Sequence, residues 1–317
     1  MEREKLKKIV KICKLYYLEG YSQQELSNMF GISRPQISRI INSAREKGIV
    51  EIKINDPFNE ELYCEQKLKN TYDLHDAVVV DTSNMSKDES IELLAKSGGY
   101  FLEKIIQSDS VIGLMAGKFI HKLVQYTKKT KAKNVRVVPL VGGLGISGAS
   151  WHANSNVIQL AEKMNFDYYV LNAPAIVSSN SIKSDLIREE GIRQVLDYYN
   201  RLNIAVVGIG EITEEATFFK TMNLSKKELD EILDAGAVCT IGKSFLNEKG
   251  EEVAQSITSR MIGVSGEHLR QTPLVIGIAA GDHKVEAISA SLAGKWLDVL
   301  ITDVNTSKKL LEEEKIK

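Results

Sequence analysis

Residues 22–48, SQQELSNMFGISRPQISRIINSAREKG, carry the pattern of two short amphipathic helices joined by a tight turn. Ser22 with Glu25 three residues on is a capping box, in which each side chain satisfies a backbone N–H that the first helical turn leaves free. Leu26, Met29 and Phe30 put an apolar stripe on that helix. Gly31, lacking a Cβ, can take the left-handed conformation that ends it. Ser33 caps a second helix, with Pro35 in its first turn and Ile37, Ile40, Ile41 and Ala44 on its buried face.

The opposite face of the second helix presents Arg34, Gln36, Ser38, Arg39, Asn42 and Arg45. These side chains suit DNA: a guanidinium forks onto guanine, the amides onto adenine, and all of them reach phosphates. In a helix-turn-helix this is the helix that enters the major groove. The competing reading is a helical hairpin with a solvated basic face. Gln36 also has a second reading, because it stands three residues after Ser33 and can complete another capping box.

On the N-terminal side, Leu6, Ile9, Val10, Cys13, Tyr16 and Tyr17 recur at helical spacing and predict a helix over 4–19 that closes a three-helix core. After Gly48, residues 49–56 alternate in the manner of a strand, a wing beside the hairpin, until Asp56-Pro57 breaks the pattern. Residues 1–55 are therefore expected to form a (winged) helix-turn-helix domain. A helix over 58–72, carrying Leu62, Tyr63, Cys64 and Leu68, lies in an expected linker spanning 56–76, either a solvated connection or a dimerisation helix.

Charge divides the chain in the same place. Residues 1–55 hold 11 Lys and Arg against 6 Asp and Glu, whereas the remainder holds 30 against 36. A basic head on a mildly acidic body fits phosphate recognition by the head alone. The three cysteines are far apart, the five histidines form no ligand-spaced cluster, and there is no CxxC or HExxH. No disulfide framework, metal site or cofactor is expected. No apolar run approaches the ~18 residues of a membrane span, and the charged N-terminus is unlike a signal peptide, so the expected compartment is the cytoplasm.

From Ala77 onward the texture changes. Strands are expected at 77–81, 110–115, 135–141, 167–173, 204–210, 237–242, 259–265, 274–281 and 298–303. Helices are expected between many of them, at 88–106, 118–129, 153–164, 191–202, 226–235 and 284–296. This alternation predicts an α/β domain over 77–317 with a mostly parallel sheet. In such sheets ligands bind beyond the carboxyl ends of the strands, at glycine-rich turns. Four turns qualify: Gly113 to Gly117 with Lys118, Gly142-Gly143, Gly208-Ile209-Gly210-Glu211, and Ala280-Gly281-Asp282-His283-Lys284. Together they make a candidate anion pocket, with Lys118 and Lys284 offsetting the ligand's charge. Thr302 and Asp303 are further polar groups at a strand end. Neither a dinucleotide fingerprint nor a P-loop is present. Glu211, Asp282, His283 and Asp303 could supply an acid and a base from neighbouring strand ends, although His283 also reads as a partly exposed residue at a helix N-terminus, and nothing resembles a nucleophile elbow.

These motifs, in this order, resemble the SorC-type sugar-binding transcriptional regulators, the family that includes the deoxyribonucleoside regulator and the central glycolytic genes repressor. The resemblance rests on the head ending ISRPQISRIINSAREKGIVEIKI and on PLVGGLG (139–145), LNAPAIVSS (171–179), the segment 187–212, AAGDHKVEAI (279–288) and LITD (300–303). It implies a sugar-phosphate isomerase/deaminase-like effector domain that binds a phosphorylated sugar or related carbohydrate without turning it over. It also implies operator DNA as a partner and assembly as a homodimer or homotetramer. Carried over, the turn before Lys118 is the phosphate-side loop, Gly142 and Gly143 are the ligand-facing glycines, and Lys284 is the lysine of an AGGxxK-like motif. This chain departs where Met115, Ala116 and Lys118 replace small polar residues and Thr or Arg, and where Asp282 puts a carboxylate beside the expected phosphate. The alternatives are a sugar-phosphate isomerase/deaminase-like enzyme with a helical appendage, which turnover would reveal, and a protein-binding winged module, which would ignore DNA.

Overall fold

The computed structural model describes residues 2–52, 59–143, 149–216, 218–219 and 224–314. The chain divides into two compact units, Met1–Pro57 and Phe58–Lys317.

The head contains α1 (Glu2–Tyr17), α2 (Gln23–Phe30) and α3 (Arg34–Glu46). The Ser22 hydroxyl accepts from the Glu25 N–H at 3.3 Å and the Glu25 carboxylate accepts from the Ser22 N–H at 2.8 Å. Gly31 ends α2 at φ 63°, where a side chain would be strained. At α3, the Gln36 Oε1 accepts from both the Ser33 N–H (3.0 Å) and the Ser33 hydroxyl (3.1 Å). Ile12, Leu15, Leu26, Ile37 and Ile41 form the core. Of the expected stripes, Leu6, Ile9, Val10, Cys13, Met29 and Ala44 lie outside it, Leu6 at 49% and Met29 at 52% exposure, and α1 contributes Ile12 and Leu15 instead. The buried residues of α1 begin at Ile12, so its first turns extend past the contact, and the short α2 needs only Leu26 to fill the space. The expected wing begins at Ile49, but Ile49–Ile52 form no strand; the Ile49 and Val50 N–H groups donate back to the Ala44 carbonyl. The rest of that alternation, 53–56, lies outside the described residues.

The body is built on a seven-stranded parallel sheet. Its strands are β1 (Asp76–Val80), β2 (Val111–Leu114), β3 (Arg136–Pro139), β4 (Asp167–Tyr168) and β5 (Ile204–Gly208), then β10 (Leu274–Ile278) and β11 (Val299–Asp303). They lie in the order β1-β11-β10-β5-β2-β3-β4. Between β5 and β10 the chain makes a smaller antiparallel sheet of β6 (Gly210–Glu211), β7 (Cys239–Ile241), β8 (Ser244–Leu246) and β9 (Glu252–Val253). The hairpin partners β8 and β9 were not legible in the sequence, and 259–265 makes only isolated bridges at Met261 and Gly263 in place of the expected strand.

Residues 59–72, expected within the linker, belong to the body as α4 (Asn59–Tyr72), with Cys64 and Leu68 buried in the main core. The helix also closes an edge of the sheet. The outward N–H groups of Val79 and Asp81 donate to the Glu65 and Glu61 carboxylates at 3.0 and 2.7 Å, which blunts β1 against further strand pairing. Burial pushes the Glu65 carboxyl upward despite that bond.

Candidate functional site

Arg34, Gln36, Arg39, Asn42 and Arg45 are exposed on one side of α3, and Ser38 is half-buried among them. Both readings of Gln36 meet here, since its amide oxygen is engaged by Ser33 and only its NH2 is left for another partner. Lys5 and Lys8 of α1 face Gln36 and Arg39 across a shallow groove floored by Ile9, Ile32 and Ile40. The sequence reading missed these two lysines because nothing local ties α1 to α3.

In the body, β2 and β5 are neighbours from which the chain leaves in opposite directions, β2 toward β3 and β5 toward β10. Their carboxyl ends are therefore the switch point, where an open parallel sheet has a crevice. Beyond β2, Met115 donates to the Val206 carbonyl at 3.0 Å and Gly117 to the Trp151 carbonyl at 2.9 Å. The buried Asn156 donates to the Met115 carbonyl at 3.0 Å and so ties this turn to its helix, α7 (Ala153–Met164). Gly117, at φ 147°, then opens α6 (Lys118–Tyr126), whose first N–H groups favour an anion. The Lys118 side chain is exposed beside them.

The other turns divide by what a side chain would meet. At Gly208, which ends β5, a Cβ would meet nothing within 4 Å, so this residue leaves open space at the switch point. Gly113, by contrast, is inside β2, where a Cβ would lie 2.3 Å from Leu140. Gly142 meets the Ala173 carbonyl at 2.5 Å, and Gly210 meets the Thr240 methyl at 2.6 Å. A side chain at any of these three would collide with its neighbours, so each position needs glycine for packing. Gly143 is freer, its nearest neighbour at 3.8 Å, and it is held by Ala173 and Ala175 through 2.8 Å backbone bonds.

Lys284 reaches across from the turn after β10, donating to the Ile209 carbonyl at 3.1 Å and pairing with the Glu211 carboxylate. Burial, with repulsion from Lys87 second, pulls its ammonium down to about 8. The Asp282 carboxylate turns to Lys309 at 2.6 Å, with its side chain 72% exposed. Asp303 is also committed elsewhere, accepting from the Thr306 N–H at 2.7 Å and the Thr82 hydroxyl at 3.3 Å.

The structure adds cations that the sequence did not single out. Segments 175–177 and 260–262 pair beside Gly142, which donates to the Ile262 carbonyl. There Arg260 bonds the Val177 carbonyl and Glu228, and Lys183, on the helix that follows (Asn180–Leu186), bonds the Ser259 carbonyl at 2.6 Å. Lys243 is brought down to about 8, first by burial and then by Lys183. Each stands alone in sequence, with no motif to mark it. Among the described residues no group of three or more His, Cys, Asp or Glu could hold a metal, and none of the helices is long and apolar enough to cross a membrane.

A helix-turn-helix with a basic exposed face in one unit and a parallel sheet with a switch point in the other fit a class, DNA-binding proteins with a small-molecule sensor. Comparison with known proteins makes this specific. Residues 56–312 match the family model Sugar-bind, a sugar-binding domain, and residues 11–47 match sigma-70 region 4. The sorbitol operon regulator of Klebsiella pneumoniae is 28% identical over 309 residues, covering 96% of this chain and 97% of that protein. The deoxyribonucleoside regulator of Bacillus subtilis (strain 168) is 28% identical over 313 residues, 99% of this chain and 100% of the relative. The crystal structure of full-length SorC from Klebsiella pneumoniae superposes with a TM-score of 0.76 at 27% identity, over 96% of this chain and 98% of that one. The chain belongs to the SorC-type family of sugar-binding transcriptional regulators. It is a regulator with a DNA-binding head and a sugar-binding body, and the relatives that resemble it along their whole length are named as regulators and not as isomerases or deaminases.

Proposed function

We propose that this regulator reads its operator through Arg34, Gln36, Ser38, Arg39, Asn42 and Arg45, and that a phosphorylated sugar at the carboxyl edge of the sheet sets its operator affinity. The reading of the ligand rests on one arrangement: Gly208 leaves space at the switch point while Lys284, largely buried, stands at its rim. The α6 N-terminus and Lys118 supply a second attraction for anions, Gly143 lines the crevice, and Lys183, Lys243 and Arg260 extend the positive potential past the glycines. The protein acts as a homodimer or homotetramer in the cytoplasm, because two coupled heads are needed to read paired half-sites. Ligand binding to one arrangement of the bodies better than another would change that pairing.

A thermal-shift screen of free and phosphorylated sugars and polyols tests the reading. A ligand at one hundred times its Kd adds about 2.7 kcal/mol of apparent stability. Phosphorylated members should raise the melting temperature, and Lys284→Ala should remove the shift while sparing DNA binding in the ligand's absence. A shift produced equally by unphosphorylated sugars would reject the phosphate. The pH dependence follows from the ammonium near 8. Anion capture is present below that value and lost as pH rises through it, while a phosphate ester gains its second charge above about 6, so capture peaks between about 6 and 8. Stability has the opposite sign. A base lowered in the folded state sheds its proton there first, so its unfavourable contribution is relieved between about 8 and the ordinary lysine value near 10.4.

A further inference from the structure

In the free body the Lys284 ammonium is already satisfied by the Ile209 carbonyl and the Glu211 carboxylate. The two side chains are only 16% and 20% exposed, so the pair is shielded from much of the solvent screening that weakens surface charges. Glu211 is held by its own backbone. It pairs with Cys239 across β6 and β7, and the preceding Gly210 is packed on Thr240. The strand pairing sets where the side chain starts, and the ion pair with Lys284 holds its carboxylate at the ammonium. Other charged groups at this turn point elsewhere: Asp282 to Lys309, and Asp303 to Thr306 and Thr82. Lys87 is a further cation acting on Lys284. An anion that reaches Lys284 therefore meets a carboxylate already beside it, in a partly dry site where like charges repel strongly.

We propose that Glu211 is the pocket's resident counter-anion, which neutralises Lys284 in the free protein and opposes every anionic ligand that comes to it. A buried ammonium without such a partner would be costly to hold. Glu211 removes that cost and at the same time keeps a bare anion weakly bound. Only a ligand that adds contacts of its own, such as a phosphorylated polyol with several hydroxyls, then stays in place of inorganic phosphate. This deepens the reading of Lys284 as the anion-binding group and depends on it.

The test is calorimetric titration of the full chain with inorganic phosphate, comparing wild type, E211Q, K284A and the double variant. E211Q should bind phosphate roughly tenfold tighter or more, because one like charge has left a poorly screened site. The gain should vanish in E211Q/K284A. Unchanged or weaker binding in E211Q, or no detectable binding in either protein, overturns the proposal. If phosphate binding in E211Q is indifferent to K284A, the Lys284 reading itself fails, a distinct result. E211A, which removes the charge without leaving an amide, serves as the second variant should E211Q fold poorly, with the same direction expected.

Discussion

The exposed face of α3 and the carboxyl edge of the seven-stranded sheet both gather polar side chains, yet they reach that state by different routes. On α3 the residues are near neighbours in sequence, and local capping and one apolar stripe suffice to point them outward. At the sheet edge the groups arrive from distant strands, and most of them answer to a neighbour first. Asp303 caps a helix, Asp282 pairs with Lys309, and Gly142 and Gly210 are filled by adjacent atoms. Residue type alone thus places an exposed polar face far more readily than a cluster assembled by long-range packing.

Two glycines of the edge give this contrast its sharpest test. Gly142→Ala should destabilise the body by about 2–3 kcal/mol, because the new methyl would press on the Ala173 carbonyl and the Pro174 backbone, which cannot rotate aside as a side chain can. Gly208→Ala meets open space and should change stability by no more than about 0.5 kcal/mol, while lowering ligand affinity through lost room. Denaturant midpoints and ligand titrations read both. Equal stability losses would mean that the two turns do the same work.

The head should behave in the opposite way, with function lost and stability kept. Arg39→Ala removes an exposed guanidinium from α3 and should weaken operator binding by about 1–3 kcal/mol, with the melting temperature unchanged. Mobility-shift titrations against operator and unrelated DNA separate base reading from phosphate contact, since a phosphate contact weakens both alike. Undiminished affinity would remove Arg39 from the interface.

How much of each region was readable follows from the same physics. Ser22, Glu25, Gly31, Ser33 and Gln36 act within three or four residues of their partners, so the caps and the turn of the head appear in the structure where the sequence puts them. In the body, the strand–helix alternation locates the parallel sheet. The sequence could not reveal that Gly113 packs on Leu140, nor that Lys183 and Lys243 approach each other, because both depend on how separate segments cross. The short β8 and β9 escaped because three- and two-residue strands are too brief for alternation to register. The helix 59–72 looked like a tether because its outward face, with Leu62 and Tyr63 exposed, masks the two residues, Cys64 and Leu68, that anchor it.

Gln36 is where the two kinds of constraint meet on one side chain, and it supplies the smallest effect. Its oxygen holds the start of α3 and its NH2 alone is available to DNA. Gln36→Glu retains an acceptor for Ser33 and strengthens the cap by placing negative charge at a helix N-terminus, so stability should hold or rise by a few tenths of a kcal/mol. The same change removes a donor and sets a carboxylate toward phosphates, so operator affinity should fall. Gln36→Ala loses both functions and should cost about 0.5–1 kcal/mol of stability as well. If Gln36→Glu leaves DNA binding intact, the residue serves the cap alone, and base reading on α3 begins with Arg34, Ser38 and Arg39.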